Sequence, residues 1–399
     1  MPRQEDRLEL SAVKYAALCL THDCNLRCGY CYAGEKMDKS MGPETAERAI
    51  DFLYEHSNGS CVATFFGGEP LLEFQLMKEI VGYSSRRYGQ SIRFRMSTNG
   101  TLLDDEIIDY LREHDIFFVL SIDGSEEQHN RMRMFADGSG SYGAAIAHLG
   151  SVFDFNPYTI AVSVVVPETV DFVASGVQDL FSKGFRYVLQ TLDYSARWEE
   201  GHVESLKDQY EALCEYYCKS LQDEKKIYYS PFDERIKTRT RKPYGKGDIC
   251  DLANTQIAIA ASGRIYPCVQ FIGTDDETCT KAAIGNVFAG FDAPRRRLCV
   301  ELNYEDKPSC KGCALYGRCA TGCGCVNWRA TGHMNRIPPI ICEHERMLMP
   351  IVDRLANKLW RKNVPLFQRK FYDRAFPMSS YIEDCMARRE KEHAENTAG

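Results

Sequence analysis

From residue 13 to about 222, short apolar runs alternate with longer amphipathic ones. The runs AVKYAALCL, CVATFF, SIRFRMST, IFFVLSI, YTIAVSVVV and FRYVLQTL have strand length and are rich in β-branched and aromatic residues. Between them lie segments such as GPETAERAIDFLYEH, LLEFQLMKEIVGYSSRRYG and LDDEIIDYLREH, whose apolar positions recur at helical spacing. Six strand–helix units in succession predict an α/β fold on a parallel sheet, open or curled into a partial barrel. Ligands of such sheets gather at the carboxyl ends of the strands. The polar stretches THDC, GGEP, TNG and DGSEEQHNRMR all fall there.

After the helical segment ESLKDQYEALCEYYCKSL the alternation stops. The expected core domain is therefore 13–222. Residues 223–249 are polar and basic, and RIKTRTRKPYGKG reads as a linker. Residues 250–345 are rich in Cys and Gly with little periodicity, as in a region held by metal. Residues 346–399 return to a helical tail that ends in the charged RREKEHAENTAG.

Composition is ordinary for a soluble globular protein: 399 residues, 44% hydrophobic and 26% charged. A net charge of −7 argues against nucleic acid or an anionic membrane as partner. The start MPRQEDRLEL lacks the apolar core of a secretory signal, and the longest apolar stretch is too short and broken to cross a bilayer. A cytoplasmic location is expected. Against that background 18 cysteines stand out, because a reducing compartment does not favour disulfides. Thiols in such number point to metal.

Two clusters organise them. Cys24, Cys28 and Cys31 form C-x3-C-x2-C, with Tyr30 and Tyr32 interleaved. Such a match is expected by chance about 0.04 times in a chain of this composition. Cys310, Cys313, Cys319 and Cys323 form C-x2-C-x5-C-x3-C, expected about 0.002 times. A structural zinc knot suits the second cluster alone. The first has three thiols and no fourth, where closed metal sites use four.

The triad, followed at the next strand end by GGEP, resembles the radical S-adenosylmethionine (SAM) superfamily. That resemblance implies a partial (β/α)6 TIM-like barrel in which Cys24, Cys28 and Cys31 hold a [4Fe–4S] cluster. The fourth iron is left for the amino and carboxylate groups of SAM. Gly67, Gly68 and Glu69 match the motif that holds the methionine ammonium, and Tyr30 matches the aromatic beside the adenine. Asn99, Ser121 and Arg133 match polar contacts to ribose or carboxylate, although TNG and SIDG are also ordinary turn sequences and a surface charge is the other reading of Arg133. Residues 250–345 resemble the SPASM extension of peptide-modifying members. By position in that pattern, Cys310, Cys313, Cys319 and Cys342 would bind a distal auxiliary cluster, and Cys250, Cys268 and Cys323 a proximal one. Three [4Fe–4S] clusters are implied in all.

Two departures shape the expected activity. The proximal group has three assigned cysteines, so its cluster is either open to substrate or closed by Cys325, Cys279 or Cys299. The sulfatase-maturing branch carries an acidic base after the YPC cysteine, where this chain has Val269. YPCVQFIG instead resembles maturases that install thioether links, so the expectation is a maturase of a ribosomally made precursor peptide that forms Cys thioether crosslinks. Alternatives are carbon–carbon crosslinking, Ser or Cys dehydrogenation, or a non-catalytic iron–sulfur carrier or scaffold. Expected partners are the precursor peptide and a flavodoxin- or ferredoxin-type electron donor. About a dozen residues precede the first strand, so leader recognition is expected from a separate leader-binding protein, the auxiliary domain or the tail. The basic run 235–246 and PRRR at 294–297 offer an acidic leader a grip, or are solvated loops. Cys19, Cys61, Cys214 and Cys218 read as packing residues, and no catalytic base is assigned.

Overall fold

A computed structural model describes residues 10–241, 243–245, 250–276, 281–319 and 322–398, with side chains to residue 390. Its centre is six strands: β1 (Tyr15–Thr21), β2 (Cys61–Gly67), β3 (Ile92–Thr98), β4 (Phe117–Ser121), β5 (Ile160–Val165) and β6 (Tyr187–Leu192). They lie side by side in chain order, every neighbouring pair parallel. This is the α/β sheet expected of the six apolar runs. β3 displays the physical basis: Ile92, Phe94, Met96 and Thr98 are buried while Arg93 and Arg95 are exposed, the period of two of a pleated strand. The intervening helices turn one apolar face inward. Pro43–His56 buries Ala46, Ala49, Ile50, Phe52 and Leu53, and Asp104 starts Asp105–Glu113 by accepting from the Ile107 N–H at 2.8 Å.

Five further strands were not visible in the sequence: β7 (Tyr228–Tyr229), β8 (Gln256–Ile259), β9 (Arg264–Tyr266), β10 (Gly285–Asn286) and β11 (Gly290–Phe291). Two to four residues are too few to show a period. β7 adds to β6, while β8 pairs in parallel with β1 from Tyr15↔Gln256 to Leu18↔Ile259. Among the described residues the result is one sheet of 11 strands, ordered β11-β10-β9-β8-β1-β2-β3-β4-β5-β6-β7. Gly263 turns the chain from β8 to β9 with φ +80°, a left-handed conformation that side chains disfavour.

Residues 228–240 differ from the linker expected over 223–249. Tyr228–Tyr229 extends the sheet, and Ser230–Thr240 is a helix that buries Phe232, Arg235 and Ile236. The Arg235 guanidinium donates from Nε and Nη2 to the two carboxylate oxygens of Glu345, with Nε 3.2 Å from Oε2. PRRR differs in the same way: buried Arg296 donates to the carbonyls of Ser11, Ala253 and Asn254 at 2.7–2.8 Å. A polar run reads as solvated until its charges find partners. Arg235 and Arg296 are therefore not available to grip a leader peptide.

The tail is helical, as expected, in Pro339–Arg361, Pro365–Tyr372 and Phe376–Ala398. The first of these packs along Glu200–Gln222 and carries Cys342 near its start. Its Asp353 receives Arg318 through two hydrogen bonds of 2.8 and 3.0 Å, which anchors the four-cysteine run to the helix. Cys19, Cys61 and Cys218 are buried, and Cys214 packs against the core. Among the described residues no helix is long and apolar enough to cross a membrane.

Removing one partner of a buried ion pair leaves an uncompensated charge. Glu345→Ala is therefore expected to lower stability by about 3–5 kcal/mol in urea unfolding. The exposed pair Arg48–Glu55 supplies the contrast, with Glu55→Ala costing under about 1 kcal/mol. Equal losses would refute the assignment of Arg235–Glu345 as an interior anchor.

Candidate functional site

The loop after β1 carries the triad. Cys24 is buried, and its sulfur accepts from the Leu26 N–H at 3.4 Å and lies 3.8 Å from Asn99 Nδ2. Cys28 and Cys31 are half-buried, bridged by a Cys31 N–H to Cys28 carbonyl bond of 3.1 Å. Lys36 Nζ donates to Cys31 Sγ at 2.9 Å. Burial pushes the Cys24 thiol up to about 11, so a thiolate there needs a cation beside it. Three soft donors converging on one pocket, with hydrogen bonds already aimed at the sulfurs of Cys24 and Cys31, fit an iron–sulfur cluster.

The end of β2 presses directly on this loop. Gly67 has φ +142°, and a Cβ on Gly68 would stand 1.9 Å from the Asp23 carbonyl oxygen. The close approach the glycines permit is thus to the chain's own backbone: Gly68 N–H donates to Thr21 and Glu69 N–H to Asp23. Glu69 is 1% exposed, and its carboxylate accepts from Thr98 Oγ1 (2.7 Å), Asn99 N–H (2.8 Å) and Leu71 N–H (3.1 Å). Burial nevertheless raises it to about 7, against the pull of those donors and of Arg133. Asn99 is tied in turn to Asn25 at 2.9 Å and to Thr101 at 2.7 Å. The ends of β1, β2 and β3 are locked into one polar frame.

A second frame joins Tyr30 and Arg133. Tyr30 Oη donates to Asp123 Oδ2 at 2.6 Å, and Arg133 Nε donates to the same oxygen at 3.2 Å, its guanidinium 5.3 Å from the Tyr30 ring centre. Arg133 is 7% exposed, which rules out the surface-charge alternative. Asp123 also accepts from the Val164 N–H at 3.0 Å, and its own N–H meets His129 Nδ1 at 3.4 Å. Burial lowers His129 to about 4 and keeps it neutral at physiological pH. Sequence inspection missed Asp123 as the pivot of this network. Its one signal was a carboxylate at a strand end, within SIDG.

Cys24, Cys28, Cys31, Tyr30, Gly67, Gly68, Glu69, Asn99, Ser121 and Arg133 all line one cavity of about 340 Å3 at the carboxyl ends of the strands. Its far wall comes from elsewhere in the sequence. Asp193, Tyr194 and Ser195 follow β6, while Gln270, Val326 and Arg329 come from the Cys-rich region. Arg329 Nη2 lies 3.5 Å from both Asp193 Oδ2 and the Tyr30 carbonyl, so one side chain joins the two regions across the cavity.

The auxiliary cysteines gather separately. Cys250, Cys310, Cys313, Cys319, Cys323 and Cys342 line a cavity of about 400 Å3. Cys268, just past β9, faces Cys250, Cys323 and Cys325. Among the described residues no group of three or more such side chains closes tightly enough for a single ion. Thiolates of this kind suit zinc or an iron–sulfur cluster as donors. Cys279 lies outside the described residues.

Residues 18–171 match the model of the Radical SAM superfamily. The uncharacterized protein MJ0907 of Methanocaldococcus jannaschii is 41% identical over 118 residues, 29% of this chain and 41% of that protein. The cysteine-type anaerobic sulfatase-maturating enzyme of Clostridium novyi is 23% identical over 75% of this chain and 85% of its own length. Among solved structures, native anSMEcpe with bound AdoMet and Cp18Cys peptide superposes with a TM-score of 0.73 at 19% identity, covering 88% of this chain and 100% of that one. The parallel-sheet core is the barrel of that fold, and the carrier or scaffold alternative gives way. Residues 18–171 thus form a radical SAM domain, a domain of enzymes, and three quarters of the chain is homologous to the anaerobic sulfatase-maturating enzymes.

Proposed function

We propose that this enzyme is a maturase of a ribosomally made precursor peptide, and that it joins a Cys sulfur to a carbon. The observation that carries the proposal is the single cavity in which the triad, Glu69 and Arg133 face Gln270, Val326 and Arg329 of the Cys-rich region. Cys24, Cys28 and Cys31 would hold the SAM-binding cluster, Cys310, Cys313, Cys319 and Cys342 a distal auxiliary cluster, and Cys250, Cys268 and Cys323 a proximal one. Bound there, SAM supplies a 5′-deoxyadenosyl radical able to take hydrogen from an unactivated carbon.

The chain's own residues do the positioning. Glu69, once ionised, offers the methionine ammonium a buried carboxylate. Arg133, held by Asp123, presents a fixed cation to the methionine carboxylate or ribose, with Tyr30, Ser121 and Asn99 around it. Asp193 and Arg329 stand on the substrate side, where they orient the peptide and exclude water. A thioether link removes two hydrogens: one as an atom from carbon, the other as the thiol proton with an electron left over. That electron needs an acceptor, and the initial cleavage needs a flavodoxin- or ferredoxin-type donor. Val269, beside Phe66 and Ile272 in a small apolar cavity, offers no carboxylate for sulfatase-type dehydrogenation. Carbon–carbon linkage is the second reading, since it needs the same atom abstraction and no thiol.

In the cluster-loaded protein, Gly68→Ala is expected to abolish SAM binding by calorimetry, because a Cβ has no room against Asp23. Affinity for SAM should rise as pH passes upward through about 7, where Glu69 loses its proton, and Glu69→Gln should flatten that dependence. A profile identical in wild type and variant would remove Glu69 from the ammonium site. With a candidate Cys-rich peptide, mass spectrometry should record a loss of about 2 Da per link, one hydrogen going to 5′-deoxyadenosine. Asp193→Asn should cut crosslinked peptide about tenfold or more while uncoupled 5′-deoxyadenosine continues. Parallel loss of both would place Asp193 in SAM binding instead.

A further inference from the structure

The assigned proximal ligands, Cys250, Cys268 and Cys323, leave a fourth position that three candidates compete to fill. Two thiol contacts single one of them out. Cys325 Sγ lies 3.0 Å from Cys323 Sγ, and the Cys325 thiol also hydrogen-bonds Cys268. It is 3% exposed, so this sulfur faces the interior and not solvent.

Local structure explains the convergence. Cys323 caps the helix Gly324–Thr331, and Cys325 sits two residues on within its first turn. Gly324 between them packs hard on Asn303, since a Cβ there would stand 2.5 Å from Asn303 Oδ1. Asn303, fully buried, donates to the Cys250 carbonyl at 2.7 Å. The glycine therefore lets the CGC turn close onto the residue that holds Cys250. Cys250 in turn faces Cys323 and Cys268. Cys299, the described rival, packs against the same apolar cluster from the helix Ala293–Tyr304.

We infer that Cys325 is the fourth protein ligand of the proximal auxiliary cluster, completing a Cys250–Cys268–Cys323–Cys325 set. The inference rests on the assignment of residues 250–345 as an auxiliary-cluster region. With four thiolates every iron of that cubane is occupied by protein. The cluster then serves as an electron acceptor or relay, and a substrate thiolate does not bind iron there. The sulfur of a crosslink is instead held in the cavity beneath Arg329.

The test uses the full chain with Cys24→Ala, Cys28→Ala and Cys31→Ala, which leaves only auxiliary sites. Anaerobic reconstitution should give about eight irons per chain. Adding Cys325→Ser should lose about one iron in eight on mild oxidation and produce a three-iron EPR signal, while Cys299→Ser changes neither. A separate measurement needs no variant at Cys325. Excess free L-cysteine should leave the auxiliary EPR spectrum of the triad variant unchanged if every iron already has a protein thiolate. A spectrum shifted by L-cysteine, or a Cys325→Ser variant with unaltered iron and signal, would overturn the Cys325 assignment alone. A triad variant that binds no iron would overturn it together with the auxiliary-cluster reading.

Discussion

β1 is an interior strand, and most of the molecule's chemistry depends on that. A parallel barrel left open would expose the free edge of its first strand, a row of unpaired backbone donors and acceptors. Here β8 hydrogen-bonds that edge from Tyr15 to Leu18 while β2 occupies the other side. The Cys-rich region is thereby continuous with the core sheet. Cys24, reached from the end of β1, and Cys268, reached through the β8–β9 hairpin, are fixed relative to each other by backbone pairing. Arg329 can consequently meet Asp193 and the Tyr30 carbonyl across the cavity.

Around this sheet the polar interior is built from charges that hold one another. Asp123 neutralises Arg133, and Glu345 neutralises Arg235, each pair with further hydrogen bonds to the backbone or to neighbouring side chains. Burying such groups is costly unless every charge is met, so each network is rigid once formed. Rigidity at the barrel mouth has a chemical use. A reactive carbon-centred species is steered by what surrounds it, and misplacement of about 1 Å is enough to divert it. His344 extends the rigid region outward: Tyr194 and Tyr210 meet its two ring nitrogens at 3.1 and 3.0 Å, and burial holds it neutral. Tyr194 lines the cavity, while His344 lies two residues from Cys342, so cavity and auxiliary cysteines share one support.

The two thiol groups differ in a way that bears on their roles. The triad lies in a cavity that also holds the buried Glu69 carboxylate and the Arg133 cation, leaving space for a charged small molecule beside the three thiols. The proximal cysteines lie where sulfurs contact sulfurs.

The sequence by itself determined the six strands of the barrel, the helices between them, the triad, GGEP and the auxiliary cysteine pattern. Strand and helix periods are local, and the spacing of metal ligands is short enough to be read along the chain. Tertiary structure alone decided which residues the polar runs would meet. RIKTRT is a helix with one buried face because Glu345, 110 residues away, accepts Arg235. Gly67 is required by the backbone of Thr21 and Gly68 by that of Asp23, and Asp123 becomes a pivot because Tyr30 and Arg133 both reach it. The same holds for Cys325. In the sequence it is one leftover thiol among several; in the fold it touches Cys268 and Cys323, because contacts between distant segments depend on sheet pairing and burial, which no local pattern records.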